Sequence, residues 1–88
     1  MAAPVTVYTT RFCYYCRRAK HLLDAKGTDY REIAVDQEPE KRMEMIQRSG
    51  RRTVPQIWIG EQHVGGCDEL HLLERQGKLD KLLALAAP

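Results

Sequence analysis

The hydrophobic pattern of this chain changes period at Cys13, and this change limits the possible folds more than any other feature. Val5–Thr9 is a run of β-branched and aromatic residues, which predicts a short strand. Over Cys13–Lys26 the apolar residues recur at helical spacing, and Gly27 supplies a stop signal. The apolar positions of this predicted helix are Tyr15, Ala19, Leu22 and Leu23. The chain therefore begins with a strand that leads through a short loop into a helix.

The remainder of the chain alternates in the same way between strand and helix patterns. Strands are predicted at Tyr30–Val35, Gln56–Ile59 and His63–Val64. Helices are predicted from Pro39 to about Gly50, from about Cys67, and after Gly77. Their apolar positions include Met43 and Ile46 in the first of these helices and Leu79, Leu82, Leu83 and Ala86 in the last.

The predicted order of elements is β-α-β-α-β-β-α, followed by an extra C-terminal helix. The first strand–helix–strand unit should be a right-handed parallel crossover. The third and fourth strands are joined by a tight turn at Gly60-Glu61-Gln62, so they should pair as an antiparallel hairpin. We therefore expect an α/β fold in one domain over residues 1–88, with a mixed four-stranded sheet flanked by helices.

Charge and cysteine content exclude several classes of protein. The net charge is +2, with 14 basic and 12 acidic residues interspersed, which does not favour nucleic-acid binding. No run approaches the roughly 18 apolar residues of a membrane span, and Met1–Val5 lacks the pattern of a secretory leader. Three cysteines are an odd number for a disulfide-stapled secreted domain. The expected compartment is a reducing cytosol, where a Cys-x-x-Cys pair is typically catalytic or metal-binding.

The pair Cys13 and Cys16 lies where the predicted loop enters the helix. Unpaired backbone N–H groups and the helix dipole favour an anion there, so they favour the thiolate form of Cys13, and only the thiolate is a useful nucleophile. Cys16 is one turn further along the same side and should be less exposed. It is placed to attack a mixed disulfide formed on Cys13 and to close a Cys13–Cys16 disulfide.

Two other interpretations of the pair are open at this point. The two thiols are unremarkable helical residues in the first. In the second, Cys13 and Cys16 join His63 and Cys67 as four zinc ligands, since His63 and Cys67 have ligand-like spacing. The long regular α/β pattern between the two pairs counts against zinc, because such a domain does not need a metal ion in order to fold.

Three motifs give the chain its resemblance to a known family. They are Cys-x-Tyr-Cys at residues 13–16, Thr53-Val54-Pro55 before a strand, and Gly65-Gly66-Cys67-Asp68 at a helix start. With these motifs in this order, the chain resembles the glutaredoxins from Val5 to Leu83, and most closely the short bacterial dithiol glutaredoxins of glutaredoxin-3 type. The resemblance implies a thioredoxin-like fold in which Pro55 is cis and lies against the cysteine pair.

The resemblance also implies a binding site for glutathione. The Val54 backbone would pair with the cysteine residue of glutathione as an added strand does, with Thr53 beside it. The N–H groups of Cys67 and Asp68 would bind the γ-glutamyl carboxylate, and the Asp68 carboxylate would bind the amino group. Cys67 is then a non-catalytic thiol beside the ligand. Arg51 and Arg52 are candidates for the glycine carboxylate, and Tyr15 would flank the bound thiol.

The sequence departs from the family pattern at two positions. Many glutaredoxins carry a lysine three residues before the first cysteine, where this chain has Thr10, and the neighbouring Arg11 is expected to compensate. Tyr14 stands where the usual dithiol motif has proline. Some glutaredoxins that lack this proline bind a [2Fe–2S] cluster between two subunits through the first cysteine and glutathione, and the resemblance leaves this alternative open.

The resemblance implies a glutathione-dependent thiol–disulfide oxidoreductase. Cys13 would be the nucleophile and Cys16 the resolving thiol. Glutathione is the expected co-substrate, and glutathionylated or disulfide-bonded proteins are the expected partners. We expect a monomer unless a cluster bridges two copies, with no resident metal ion and no membrane or nucleic-acid partner.

Overall fold

The computed structural model describes residues 5–86, and it contains the predicted elements in the predicted order. The strands are β1 (Val5–Thr9), β2 (Arg31–Ala34), β3 (Gln56–Ile59) and β4 (Gln62–Gly65). The helices are α1 (Tyr14–Ala25), α2 (Pro39–Ser49), α3 (Cys67–Arg75) and α4 (Leu79–Ala86). The first four residues, on which the prediction of no secretory leader mainly rests, lie outside the described part. Within residues 5–86, no helix is long and apolar enough to cross a membrane.

The four strands form one mixed sheet in the order β2-β1-β3-β4. β1 is parallel to β2 and antiparallel to β3, and β3 and β4 form an antiparallel hairpin. The predicted parallel pair and the predicted hairpin are therefore both confirmed. This sheet, with helices on both faces, is the thioredoxin-like arrangement that the resemblance implies. It places the end of β1, the start of β3 and the end of β4 in one region of the molecule.

Side chains alternate between the two faces of the sheet, and each face has its own core. On one face the helices α1, α3 and α4 pack on β1 and β3 through fully or nearly fully buried side chains. These include Val7, Leu23, Ile57, Leu70 and Leu79. On the other face α2 packs through Met45 on a cluster of Tyr8, Ile33, Val35 and Trp58. Each large buried side chain stabilises the fold by about 1.5–3 kcal/mol, so the two cores hold the helices firmly on the sheet.

Two sequence-based assignments of helix faces were wrong. Met43 is 54% exposed, and the neighbouring Met45 is the buried methionine of α2. Positions 42, 45, 46 and 49 face the sheet at helical spacing, so Met43 points away from it although Ile46 is partly buried. On α1, Tyr15 is 53% exposed, while Cys16, Ala19 and Leu23 form the buried stripe. The stripe therefore begins one residue later than the sequence pattern suggested.

Candidate active site

The two cysteines of the first motif lie at the N-terminus of α1. Cys13 is the N-cap residue in an extended conformation, and its sulfur accepts the backbone N–H of Cys16 at 3.0 Å. Cys16 lies in the first turn and is 1% exposed, whereas Cys13 is half-buried. The two sulfur atoms are joined as a disulfide. The outer and inner positions of the pair thus differ in accessibility, as a nucleophile and a resolving thiol require.

The second motif forms the segment that enters β3 and lies beside the cysteine pair. The Val54–Pro55 peptide bond is cis. The Val54 carbonyl oxygen lies 3.9 Å from the Cys13 sulfur, so this backbone segment directly adjoins the disulfide. Thr53 is exposed, Val54 is half-buried and Pro55 is buried. A short stretch of extended backbone beside a reactive sulfur is the surface that a peptide-like ligand pairs with.

The third motif forms the turn from β4 into α3. Gly66 is the N-cap residue of α3, and its backbone N–H donates to Glu69 Oε1 at 2.9 Å. Glu69 also accepts from Arg51 Nη1 at 2.6 Å. The Gly66 N–H and then the Arg51 guanidinium lower the pKa of Glu69 below its ordinary value. Glu69 therefore links the helix start to the loop that precedes β3 and stays ionised at neutral pH.

A cavity of about 190 Å³ lies between these elements. It is lined by Tyr15, Arg51, Thr53, Val54, Pro55, Gln56, Gly66, Cys67, Asp68 and Glu69. Two of its walls present backbone groups, one from extended chain and one from a helix start, where the dipole favours an anion. A small ligand that carries both a peptide bond and a carboxylate suits such a cavity.

The structure brings together most of the residues expected at the site. Tyr15, Thr53, Val54, Pro55, Cys67 and Asp68 all line the cavity, and Cys13 adjoins it through Val54. Arg11 and Arg52 do not line it. Arg11 Nε forms an ion pair with Asp36 at 3.2 Å, and the Arg52 carbonyl oxygen accepts a hydrogen bond from Arg42 Nη2 at 3.5 Å. Arg51, the other basic candidate, does line the cavity and pairs with Glu69.

Gln56, Gly66 and Glu69 also line the cavity, and the sequence assigned none of them a role as a site residue. Gln56 is the polar residue of an otherwise apolar strand, QIWI, and this contrast was the available signal. Glu69 is three residues after the N-cap position, where a capping carboxylate is common. The signal for Glu69 was therefore also present, but only for a structural role.

The third cysteine lies at the start of α3 and is 4% exposed. Burial raises the pKa of the Cys67 thiol. Its sulfur lies 3.4 Å from His71 Nδ1, and the same nitrogen is 2.9 Å from the Cys67 carbonyl oxygen. Cys67 is thus a buried thiol beside the cavity rather than an exposed nucleophile.

The four residues of the zinc interpretation have other partners. The sulfurs of Cys13 and Cys16 are bonded to each other, and His63 Nε2 lies 2.8 Å from Gln56 Oε1. Across residues 5–86, histidine, cysteine and acidic side chains form no group of three or more that could hold a metal ion. What the arrangement supports chemically is disulfide exchange at Cys13, next to a cavity for a small ligand.

Comparison with known proteins places the chain among related sequences and structures. A family model described as Glutaredoxin matches residues 5–64. Over 81 residues the chain is 63% identical to a glutaredoxin of Pseudomonas aeruginosa, covering 92% of this chain and 96% of that protein. It is 54% identical over 81 residues to glutaredoxin 3 of Escherichia coli, covering 92% and 98%. A crystal structure of a buckwheat glutaredoxin–glutathione complex matches with a TM-score of 0.88 and 38% identity, covering 97% and 82%.

Proposed function

Because the chain belongs to the glutaredoxin family of thiol–disulfide oxidoreductases, we propose that it reduces protein–glutathione mixed disulfides and protein disulfides with glutathione as the reductant. The observation that carries this proposal is the cavity beside Cys13, lined by the Val54–Pro55 backbone and the start of α3. We propose that the whole chain, residues 1–88, acts as one domain in a reducing cytosol.

In the first reaction the Cys13 thiolate attacks the glutathione sulfur of a mixed disulfide. The bond between that sulfur and the client protein breaks, and the client leaves as a thiolate that takes up a proton. A disulfide between Cys13 and glutathione has then formed. The thiolate of a second glutathione attacks the glutathione sulfur of this disulfide, which releases oxidised glutathione and restores the Cys13 thiolate.

Reduction of a protein disulfide uses both cysteines. The Cys13 thiolate attacks one sulfur of the client disulfide and forms a mixed disulfide with it, and the other client sulfur leaves as a thiolate that takes up a proton. The Cys16 thiolate then attacks the Cys13 sulfur, releases the second client thiolate and closes the Cys13–Cys16 disulfide. Two glutathione molecules reduce this disulfide, and they leave as oxidised glutathione. The disulfide in the structure corresponds to the oxidised end of this sequence.

Glutathione would occupy the cavity in an extended conformation. Its cysteine residue would pair with the Val54 backbone, and its γ-glutamyl carboxylate would accept from the N–H groups of Cys67 and Asp68. The Asp68 carboxylate would bind the amino group, and Tyr15 would flank the thiol. Arg51 lines the cavity, which supports the proposal that it would bind the glycine carboxylate. We also propose that Thr53 contacts glutathione beside the Val54 backbone. Arg52 would contribute to binding of the glycine carboxylate, and Arg11 would take the place of the lysine that many glutaredoxins carry.

Single cysteine variants test this function. Cys13→Ser should abolish reduction of both substrate types, because no other described thiol adjoins the cavity in an accessible position. Cys16→Ser should keep reduction of glutathionylated peptide and lose reduction of a protein disulfide. Cys67→Ser is the matched control and should keep both activities within about twofold, since Cys67 is buried. Appreciable turnover by Cys13→Ser would contradict the assignment of Cys13 as the nucleophile.

A [2Fe–2S] cluster shared by two copies is the alternative that the family resemblance raises. It requires a free Cys13 thiolate from each copy, together with bound glutathione, and Tyr14 is the sequence feature that motivates it. Purification without oxygen and with glutathione tests it. A brown dimer with an absorption band at roughly 420 nm would support cluster binding. A colourless monomer with full mixed-disulfide activity would count against it.

A further inference from the structure

Gln56 is a fully buried polar side chain behind the Thr53–Pro55 segment. It is 1% exposed, and both its amide nitrogen and its amide oxygen have hydrogen-bond partners. Gln56 Nε2 lies 3.0 Å from the Thr53 carbonyl oxygen and 3.2 Å from Thr53 Oγ1. Its Oε1 lies 2.8 Å from His63 Nε2. One amide therefore connects β4 to the backbone that lines the cavity.

These partners determine the direction of each hydrogen bond. A carbonyl oxygen only accepts, so the Gln56 amide nitrogen must face Thr53 and donate to it. The amide oxygen then faces His63 and needs a donor, so His63 must carry a hydrogen on Nε2. The chain of donors runs from His63 to Gln56 and from Gln56 to Thr53. Gln56 is thereby limited to one amide orientation, and His63 is limited to one ring tautomer.

His63 is itself held in position by its neighbours on the sheet. It pairs with Trp58 across the β3–β4 hairpin, and the two rings stack with centroids 4.5 Å apart. The Arg48 guanidinium lies 4.4 Å from the Trp58 ring centroid and also donates to the Tyr8 hydroxyl. Burial, and then the positive charge of Arg51, lowers the pKa of His63, which keeps the ring neutral at physiological pH.

The other end of the chain of donors adjoins the reactive sulfur. Thr53 is followed by Val54, whose carbonyl oxygen lies 3.9 Å from the Cys13 sulfur. Any rotation of the Thr53 peptide changes the direction of the next peptide, because the two share one α-carbon. The hydrogen bond that fixes the Thr53 carbonyl therefore also fixes the Val54 backbone against Cys13.

We propose that Gln56 and His63 are positioning residues for the disulfide-exchange reaction, which orient the Thr53-Val54 backbone so that it pairs with the glutathione portion of the substrate. This inference rests on the proposed function and adds two residues to it. Neither residue takes part in bond making. Both act through Thr53, so their loss should weaken glutathione binding in the ground state and the transition state alike. Such a loss raises KM and leaves kcat nearly unchanged.

The first test compares Gln56→Met with Gln56→Glu in steady-state reduction of a glutathionylated peptide. Methionine is similar in length but supplies neither donor nor acceptor. Glutamate keeps an acceptor for His63 but places an oxygen against the Thr53 carbonyl. Both variants should raise the apparent KM about tenfold and change kcat by less than about twofold, with glutamate giving the larger KM. An unchanged KM in folded variants would overturn the proposal.

The second test separates the His63 donor from its stacking. His63→Gln retains an N–H that reaches the Gln56 oxygen but loses the stack on Trp58. His63→Phe retains the stack but loses the donor. We expect KM close to that of the wild type for His63→Gln and a severalfold increase for His63→Phe. The reverse order would show that stacking matters and would overturn the proposal. Because His63 is only half-buried, these two variants also decide the question if the Gln56 variants do not fold.

A spectroscopic readout tests the hydrogen-bond direction without any assay. The ¹⁵N chemical shifts of His63 at about pH 8 should show the Nε2–H tautomer in the wild type and a mixture of tautomers in Gln56→Met. A dominant Nδ1–H tautomer in the wild type would overturn the proposal. A wild type that does not saturate with the glutathionylated peptide would instead contradict the proposed function. If the wild type saturates with the glutathionylated peptide but the variants have an unchanged KM, only the positioning role is contradicted.

Discussion

Cys13 and Cys67 occupy comparable positions at the starts of two helices that border the same cavity. Cys13 is the N-cap residue of α1 and Cys67 is the first residue of α3. A helix N-terminus favours a thiolate by about 0.3–1 kcal/mol in both cases. Their exposure differs, since Cys13 is half-buried and Cys67 is 4% exposed. A comparison of the two thiols therefore separates the effect of a helix start on thiolate stability from the effect of burial on it.

At Cys67, burial has a larger effect on the pKa of the thiol than the helix start has, because the pKa is raised. Removal of the thiolate from water raises the pKa of Cys67 more than the nearby Arg18 charge lowers it, and the Asp68 and Glu69 charges act in the same direction as burial. Cys13 instead receives the backbone N–H of Cys16 on its sulfur, and a hydrogen bond of this kind favours a negatively charged acceptor. We therefore expect Cys13 rather than Cys67 to act as the nucleophile, because its sulfur is the more accessible of the two and receives a hydrogen bond.

The most direct test of this difference between Cys13 and Cys67 is the rate of alkylation of each thiol in the reduced protein. At pH 7 we expect iodoacetamide to modify Cys13 at least ~100-fold faster than Cys67, because Cys67 is both protonated and buried. Since the Cys67 pKa is raised, its rate should still be increasing above about pH 9. Quenched time points with mass spectrometry of the cysteine peptides give both rates. The urea-unfolded protein is the control, and equal rates in the folded protein would contradict the comparison.

The next prediction concerns the backbone that holds Cys67 in place. Gly65 has φ of 115°, and a β-carbon there would collide with the Glu69 carboxylate. Gly65→Ala should therefore destabilise the protein by about 2–3 kcal/mol, from backbone strain together with displacement of Glu69. Urea unfolding measures the change, and glutathione KM should rise with it.

Gly27→Ala is the matched control for this variant. Gly27 also has a positive φ, of 66°, but a β-carbon there would meet no atom within 4 Å. Its cost should be only the conformational one, about 1 kcal/mol. If both alanine variants lose the same stability, close approach to Glu69 has no effect and the account of the α3 start is wrong.

The elements and the motif positions could be predicted from the sequence because they follow from local patterns. The strand at Val5–Thr9 and the helix starts at Pro39 and Cys67 match the structure to within a residue. The distant motifs meet at one cavity, as the resemblance implied. What local patterns specify is which residues enter each element and which turns separate them.

The residues that support the site could not be predicted, because their roles depend on side-chain contacts between different elements. The contact between Arg51 and Glu69 spans 18 residues and the contact between Gln56 and His63 spans seven. Neither pair has a spacing that a helix or a strand would impose. Met43 and Met45 were equally plausible core residues, and only the direction of α2 over the sheet decided between them.

A smaller effect is expected from the residue that follows Cys67. Asp68 is exposed and lines the cavity at the N-terminus of α3. If its carboxylate binds the amino group of glutathione, Asp68→Ala should raise the KM for glutathione about fivefold and leave kcat unchanged, as loss of one exposed charged contact does. Asp24→Ala, on the exposed side of α1, is the control. A KM equal to that of the control would remove Asp68 from the binding site.

The smallest predicted effect is the contribution of Glu69 to stability, and it depends on pH. The Gly66 N–H and Arg51 lower the folded-state pKa of Glu69, so its stabilisation is present above the unfolded value of about 4.3 and is lost as pH falls through the folded value. Arg51 and Glu69 side chains are 49% and 40% exposed, so we expect at most about 1 kcal/mol.

Glu69→Gln should therefore be less stable than the wild type at pH 7, and the difference should shrink between about pH 5 and pH 3. Urea midpoints at several pH values measure this, with Glu61→Gln in the exposed β3–β4 turn as the control. Added salt should reduce the difference at pH 7, because the ion pair with Arg51 is exposed, while the hydrogen bond from Gly66 should survive. A difference that is independent of both pH and salt would mean that Glu69 acts through packing. The start of α3 would then be held, like the buried Cys67 sulfur, by burial rather than by charge.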